Sequence, residues 1–187
     1  MIKRIFDFVV SFLFLLVLIF PLCIVAIFIR MTSSGPAVYW SKRVGQKNNL
    51  FLMPKFRSMY ISTPQVATHL LKNSDSHITP IGQFIRKTSI DEFPQFFSVL
   101  KGDMSLVGPR PALFNQDDLI QLRTEKNIDR LKPGITGWAQ INGRDDLPIP
   151  IKVQFDEHYL NNMSFMLDIK ILFMTVYKVI KKDGIKH

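Results

Sequence analysis

The sequence predicts a helix-dominated α+β protein, with an N-terminal membrane-inserted helical segment joined to a compact domain that carries a short β-hairpin and amphipathic surface helices. Three observations carry this expectation. From Phe8 to Ile29 no residue is charged, and at ~1.5 Å rise per residue such a run reaches roughly 33 Å, the thickness of a bilayer core. The remaining chain shows helical periodicity in several stretches separated by glycine and proline. One pair of short segments alone reads as strands.

The chain has 187 residues, 47% of them apolar, so one domain with a buried core plus an appendage is expected. A formal net charge of +9 points to anionic partners. Nucleic acid, phosphorylated substrates and acidic lipid headgroups all satisfy that charge. Cys23 is the one cysteine, which excludes an internal disulfide and a thiolate metal cluster.

The first segment, residues 1–31, ends in Arg30-Met31-Thr32 where a signal peptide would carry small residues, so it is expected to be retained. Pro21 interrupts the run and removes a helical hydrogen bond, which predicts a kink or break at Phe20-Pro21. Lys3 and Arg4 precede the run, and Arg30, Lys42, Arg43 and Lys47 follow it. By the positive-inside tendency both flanks belong in the cytoplasm, which favours a re-entrant hairpin of two short helices. A kinked spanning helix stays open beside it.

The turn cluster Thr32-Ser33-Ser34-Gly35-Pro36 opens the second domain, residues 32–187. Val38-Tyr39-Trp40 and Leu50-Phe51-Leu52-Met53 form the hairpin strands. A polar loop follows from Ile61 to Pro80, with one helical turn around His69 to Lys72. Helices are predicted over Ile81 to Arg86, Ile90 to Leu100, Gln116 to Asp129 and Ile151 to Asn161. Between Ser164 and Lys182, Lys170, Lys178, Lys181 and Lys182 share one helical sector, with Phe165, Leu172, Phe173, Val176, Val179 and Ile180 opposite. Such a helix can lie in a headgroup plane or pack on the core.

Ser89 followed by Glu92 ahead of an apolar run has the spacing of a capping box, which puts Asp91 and Glu92 in the first turn of a helix. The helix dipole there favours negative charge, so an ionised carboxylate could serve as nucleophile or metal ligand, although capping acids also occur for stability alone. Lys55, Arg57, Arg86, Lys87 and Arg110 are the nearby cations, and Arg110 is stiffened by proline on both sides. Asp117-Asp118 and Asp145-Asp146 are further acidic pairs, read as a helix start and an exposed loop. His69, His77, His158 and His187 lack zinc-ligand spacing, and no Ser-His-Asp or glycine-rich nucleotide signature occurs, which argues against zinc hydrolases and dinucleotide enzymes.

Four strings taken in order resemble the bacterial sugar transferase family, the small monotopic polyprenyl-phosphate phosphoglycosyl transferases. They are Lys55-Phe56-Arg57-Ser58-Met59, Ser89-Ile90-Asp91-Glu92-Phe93-Pro94-Gln95, the segment from Leu100 to Pro111 and the segment from Lys132 to Arg144. The resemblance runs from Lys3 to Lys182. It implies transfer of a sugar phosphate from a UDP-sugar to undecaprenyl phosphate with release of UMP. It further implies magnesium, Asp91 as nucleophile and Glu92 beside it, both near the metal. Lys55, Arg86, Arg110, Arg144 and Asp156 match positions in or near the family's site. The implied setting is the cytoplasmic face of the bacterial inner membrane, without nucleic acid, with a homodimer among the allowed states. The family's re-entrant segment turns at Ser-Pro, where this chain has Phe20-Pro21. The competing reading is a non-catalytic basic protein that binds anionic lipid or nucleic acid at a membrane surface.

Overall fold

The computed structural model describes residues 2–64, 74–143 and 147–181. The expected helical turn at His69 to Lys72, together with Arg144, Asp145-Asp146 and Lys182, lies outside these residues. The architecture is helix-dominated α+β, with seven α-helices and two two-stranded sheets among the described residues.

Helix α1, Ile2–Thr32, runs without interruption through Pro21. A break there into two short helices is expected from sequence, and a single continuous helix is found instead. One proline removes a single backbone bond, while its fixed φ suits a helix. Both halves of α1 are also held by packing on the same domain. In the first half Phe6 and Val10 pack on a core of Met53, Val99, Met104, Leu106, Val107, Ile141, Tyr159 and Ile171. In the second half Leu22, Val25, Ala26 and the fully buried Ile29 join Phe56 and Ile85. Between them Phe14 stacks on Phe96 and meets Phe93 edge-on. The inward positions 3, 7, 10, 14, 22, 25 and 29 recur at helical spacing, so one face docks along the domain.

The opposite face of α1 is apolar and open, with Val17, Phe20 and Met31 each more than 70% exposed. Its basic end is docked. Lys3 Nζ donates to Asp168 Oδ2 at 2.6 Å and to Val107 O at 3.1 Å, and Arg4 donates to Val99 O and Leu100 O at the end of a domain helix. Lys3 and Arg4, read from sequence as charges flanking a membrane segment, bind the domain.

Strands β1, Val38–Val44, and β2, Leu50–Phe56, pair antiparallel from Val38 opposite Phe56 to Val44 opposite Leu50. Helix α2, Pro80–Lys87, begins at Thr79, whose side chain accepts from Gly82 N. The predicted helix from Ile90 to Leu100 is divided into a 3-10 turn, Ile90–Glu92, and helix α3, Gln95–Lys101. Pro94 is the reason, since it has no N–H for the Ile90 carbonyl. Phe93 N bonds that carbonyl instead.

Strand β3, Ser105–Val107, lies parallel to β4, Gly134–Thr136, a buried pair that sequence periodicity did not mark. Here the backbones touch: a Cβ on Gly108 would fall 2.3 Å from Lys132 O, so only glycine fits. Helix α4, Asp117–Glu125, stops short of the predicted Asp129 because Asn127 turns left-handed with φ 58°. Helices α5, Trp138–Asn142, α6, Ile149–Asn162, and α7, Phe165–Lys181, complete the fold.

Helix α7 packs one face on the core, as one of the two sequence expectations has it, and leaves another apolar face exposed. Ile171 and Leu172 pack on the core, while Met166, Phe173, Val176 and Tyr177 form an open apolar face. Its lysines are engaged locally: Lys178 donates to Ile141 O, and Lys170 and Lys181 sit over the Trp138 and Tyr177 rings. Phe165 meets Phe6 edge-on, which joins α7 to the start of α1.

Candidate active site

Three segments converge on the Asp91-Glu92 turn. Lys55, near the end of β2, donates from Nζ to Glu92 Oε1 at 2.8 Å, and Arg110 Nη2 donates to the same oxygen at 3.2 Å. Arg86, in the last turn of α2, is close enough to act electrostatically on Asp91. The predicted Asp91, Glu92, Lys55, Arg86 and Arg110 are thus brought together.

The two carboxylates have different surroundings. Burial disfavours ionisation of Glu92, but the charges and hydrogen bonds of Lys55 and Arg110 outweigh it and hold Glu92 well below the usual carboxylate range. Burial also acts on Asp91 and prevails there. Lys55, Arg86 and Arg110 pull its carboxyl down and Glu92 pushes it up, leaving it at about 6. Among the described residues Asp91 makes no hydrogen bond and no ion pair. The cluster therefore has one neutralised carboxylate and one open carboxylate facing three cations.

The expected origin of this geometry needs correction. No capping box forms: Ser89 is left-handed with φ 57° and makes no side-chain cap. Asp91 occupies a 3-10 turn ahead of α3, so burial and the neighbouring cations set its ionisation, and the end of an α-helix does not. The left-handed Ser89 and the proline-bounded turn are what project both acids toward β2.

Arg110 is fixed through its backbone. Gly134 N donates to Pro109 O at 2.9 Å, and Arg123 Nη1 donates to Arg110 O at 2.8 Å. Arg123 is buried in α4 and donates twice to Asp156 Oδ2, at 3.0 and 2.6 Å. Asp156, which sequence reasoning put in or near the phosphate site, is 1% exposed and holds Arg123. Arg123 was not singled out from sequence, although it lies four residues after buried Leu119 on the inward face of α4.

Arg57 is not among the cations acting on Asp91. Its guanidinium donates to Ser33 O, Ser34 O, Gly35 O and Pro36 O and closes the turn after α1. Lys87 is exposed, and Asp117 and Asp118 are exposed at the start of α4. His158 stacks on Trp138.

A family model described as bacterial sugar transferase matches residues 1–182. The chain belongs to the bacterial sugar transferase family. It is 41% identical to an undecaprenyl-phosphate galactose phosphotransferase of Salmonella typhimurium, over 97% of this chain and 41% of that protein. It is 40% identical to a UDP-glucose:undecaprenyl-phosphate glucose-1-phosphate transferase of Escherichia coli, over 95% of this chain and 40% of that protein. An uncharacterised sugar transferase of Bacillus subtilis is 40% identical, over 99% of this chain and 90% of that protein. The chain thus spans about two fifths of the length of the first two relatives.

Within this family member no group of three or more His, Cys, Asp or Glu side chains that could cage a metal occurs among the described residues. Magnesium is commonly held by one or two carboxylates together with substrate phosphates. The open Asp91 carboxylate, and Glu92 Oε2, which carries no bond among the described residues, match that donor set.

Proposed function

We propose that this chain transfers a sugar 1-phosphate from a UDP-sugar to undecaprenyl phosphate through a phosphosugar ester on Asp91. The observation that carries the reading is the open Asp91 carboxylate beside Lys55, Arg86 and Arg110, with Glu92 already neutralised. Lys55, Arg86 and Arg110 supply positive charge beside a diphosphate, and arginine suits bidentate phosphate contacts.

In the first step an Asp91 carboxylate oxygen attacks the sugar-bearing phosphorus. The bond from that phosphorus to the bridging oxygen breaks, and UMP leaves with the oxygen. The resulting acyl phosphate is a mixed anhydride and retains transfer potential. In the second step a phosphate oxygen of the acceptor attacks the same phosphorus, the acyl–phosphate bond breaks, and the Asp91 carboxylate returns. Arg86 and Arg110 offset charge on the transferring group, and Lys55 keeps Glu92 ionised next to it. Magnesium would be held by Asp91 and Glu92 with the donor phosphates, and when bound it supplies further charge neutralisation.

The membrane reading has its own support. A helix of 31 residues, about 46 Å long, exceeds a bilayer core, yet both of its halves dock on one domain. A spanning helix could leave only one end there. We infer a re-entrant or shallow placement with both ends on the cytoplasmic side of the inner membrane, the open faces of α1 and α7 meeting lipid. Phe14 of α1 packs on Phe93, the residue after Glu92, so the reaction centre lies close to where a lipid-borne phosphate arrives.

The test is UMP release by purified protein given undecaprenyl phosphate, magnesium and a panel of UDP-sugars. Release with at least one donor, lost on chelation and in Asp91→Asn, is expected. No release with any donor, alongside retained vesicle binding, would favour the non-catalytic membrane-surface reading.

A further inference from the structure

Helix α1 carries one acid in its apolar body, and that acid is buried. Asp7 is 3% exposed and accepts from Ser105 Oγ at 2.7 Å and from Leu106 N at 3.3 Å. A buried carboxylate is costly unless donors satisfy it, so this placement ties α1 to β3. Leu106 lies between Ser105 and Val107, the two residues aligned with β4, and its N–H turns to the open edge of the strand. Asp7 caps that edge where a third strand would otherwise pair. One helical turn earlier Lys3 donates to Val107 O.

The segment beyond this clamp has little freedom. Gly108 N donates to Thr136 O at 2.9 Å, and the backbones of Gly108 and Gly134 are in direct contact. Pro109 and Pro111 fix φ on either side of Arg110. Only Gly108 and Pro109, both of restricted backbone, separate Val107 from Arg110, whose guanidinium meets Glu92.

We propose that Asp7, on the membrane-facing helix, is a positioning residue for Arg110, so that docking of the first two turns of α1 sets the arginine against the transferring phosphate. The inference rests on the role given to Arg110 above. Lys3 and Asp7 lie one helical turn apart on the same face of α1, and both bond β3. Asp7 touches neither carboxylate of the pair and acts through β3.

The test has two arms on the full chain in detergent or nanodiscs. Hydrogen exchange of residues 106–112 should quicken roughly tenfold or more in Asp7→Ala and in the milder Ser105→Ala. It should stay near wild type in Asp7→Asn, whose amide can still accept from Leu106 N and pair with Ser105. In UMP release Asp7→Ala should lower kcat about tenfold or more with KM for the donor changed less. Asp7→Asn should restore it. The double variant Asp7→Ala/Arg110→Ala should be no slower than Arg110→Ala alone.

Unchanged exchange in both Asp7→Ala and Ser105→Ala would overturn the clamp. Faster exchange with additive losses in the double variant would overturn its action through Arg110. A wild type that releases no UMP would count against the proposed activity, and the exchange arm would still decide the clamp.

Discussion

Replacing Asp156 with alanine separates a supporting role from contact with substrate. The Asp156 and Arg123 side chains are 2% and 10% exposed, and two hydrogen bonds join them. Without the carboxylate a guanidinium is left charged and buried, which costs about 3–5 kcal/mol. At about 2–4 °C per kcal/mol for a chain of this size, Tm should fall roughly 6–20 °C. The tryptophans at positions 40 and 138 allow the melt to be followed by intrinsic fluorescence. Exchanging both partners for apolar residues, Arg123→Met with Asp156→Leu, should recover most of the stability, since an apolar pair of similar volume is often neutral or better. UMP release should not recover with it, because the Arg110 carbonyl has lost its donor. A Tm for Asp156→Ala within about 2 °C of wild type would refute the reasoning, as would activity returning in the stable double variant.

Three further outcomes follow from the site and from α1. With Asp91 at about 6 in the free protein, kcat/KM should be full near pH 7.5 and fall as pH drops through about 6, where the nucleophile is protonated. Because that folded value lies above the ordinary aspartate value of about 3.9, the stabilising influence of protonated Asp91 is present below about 4 and lost as pH rises through about 6. Asp91→Asn should therefore raise Tm at pH 7.5 and lose that advantage below pH 4; equal melting at both values would contradict the burial argument. A cysteine placed at position 2 should resist membrane-impermeant labelling in intact cells, whereas periplasmic reactivity would restore a spanning α1.

Much of this fold is visible in local patterns. The apolar run, the hairpin and the helices near Ile81, Ile151 and Ser164 each follow from periodicity over a turn or more. β3 and β4 escape because three-residue strands buried on both faces show no alternation. Pro94 did signal the split before α3, but the apolar residues on either side suggested one continuous helix. At the site, Asp91, Glu92, Lys55, Arg86 and Arg110 were grouped by the resemblance to the family, and the structure places them side by side. Arg57 closes the turn after α1 instead of facing the acids, and sequence alone does not distinguish these two uses of an arginine. Arg123 and Asp7 were missed for one reason: each is a charge on the buried face of a helix, detectable only by asking which neighbours lie four residues away.

The most direct test of the central claim is the intact mass of the protein after incubation with the accepted UDP-sugar and magnesium and no lipid acceptor. The account predicts an increase equal to one sugar phosphate, absent in Asp91→Asn and discharged when undecaprenyl phosphate is added. An adduct that persists in Asp91→Asn, or lipid-linked product formed by that variant at the normal rate, would contradict it.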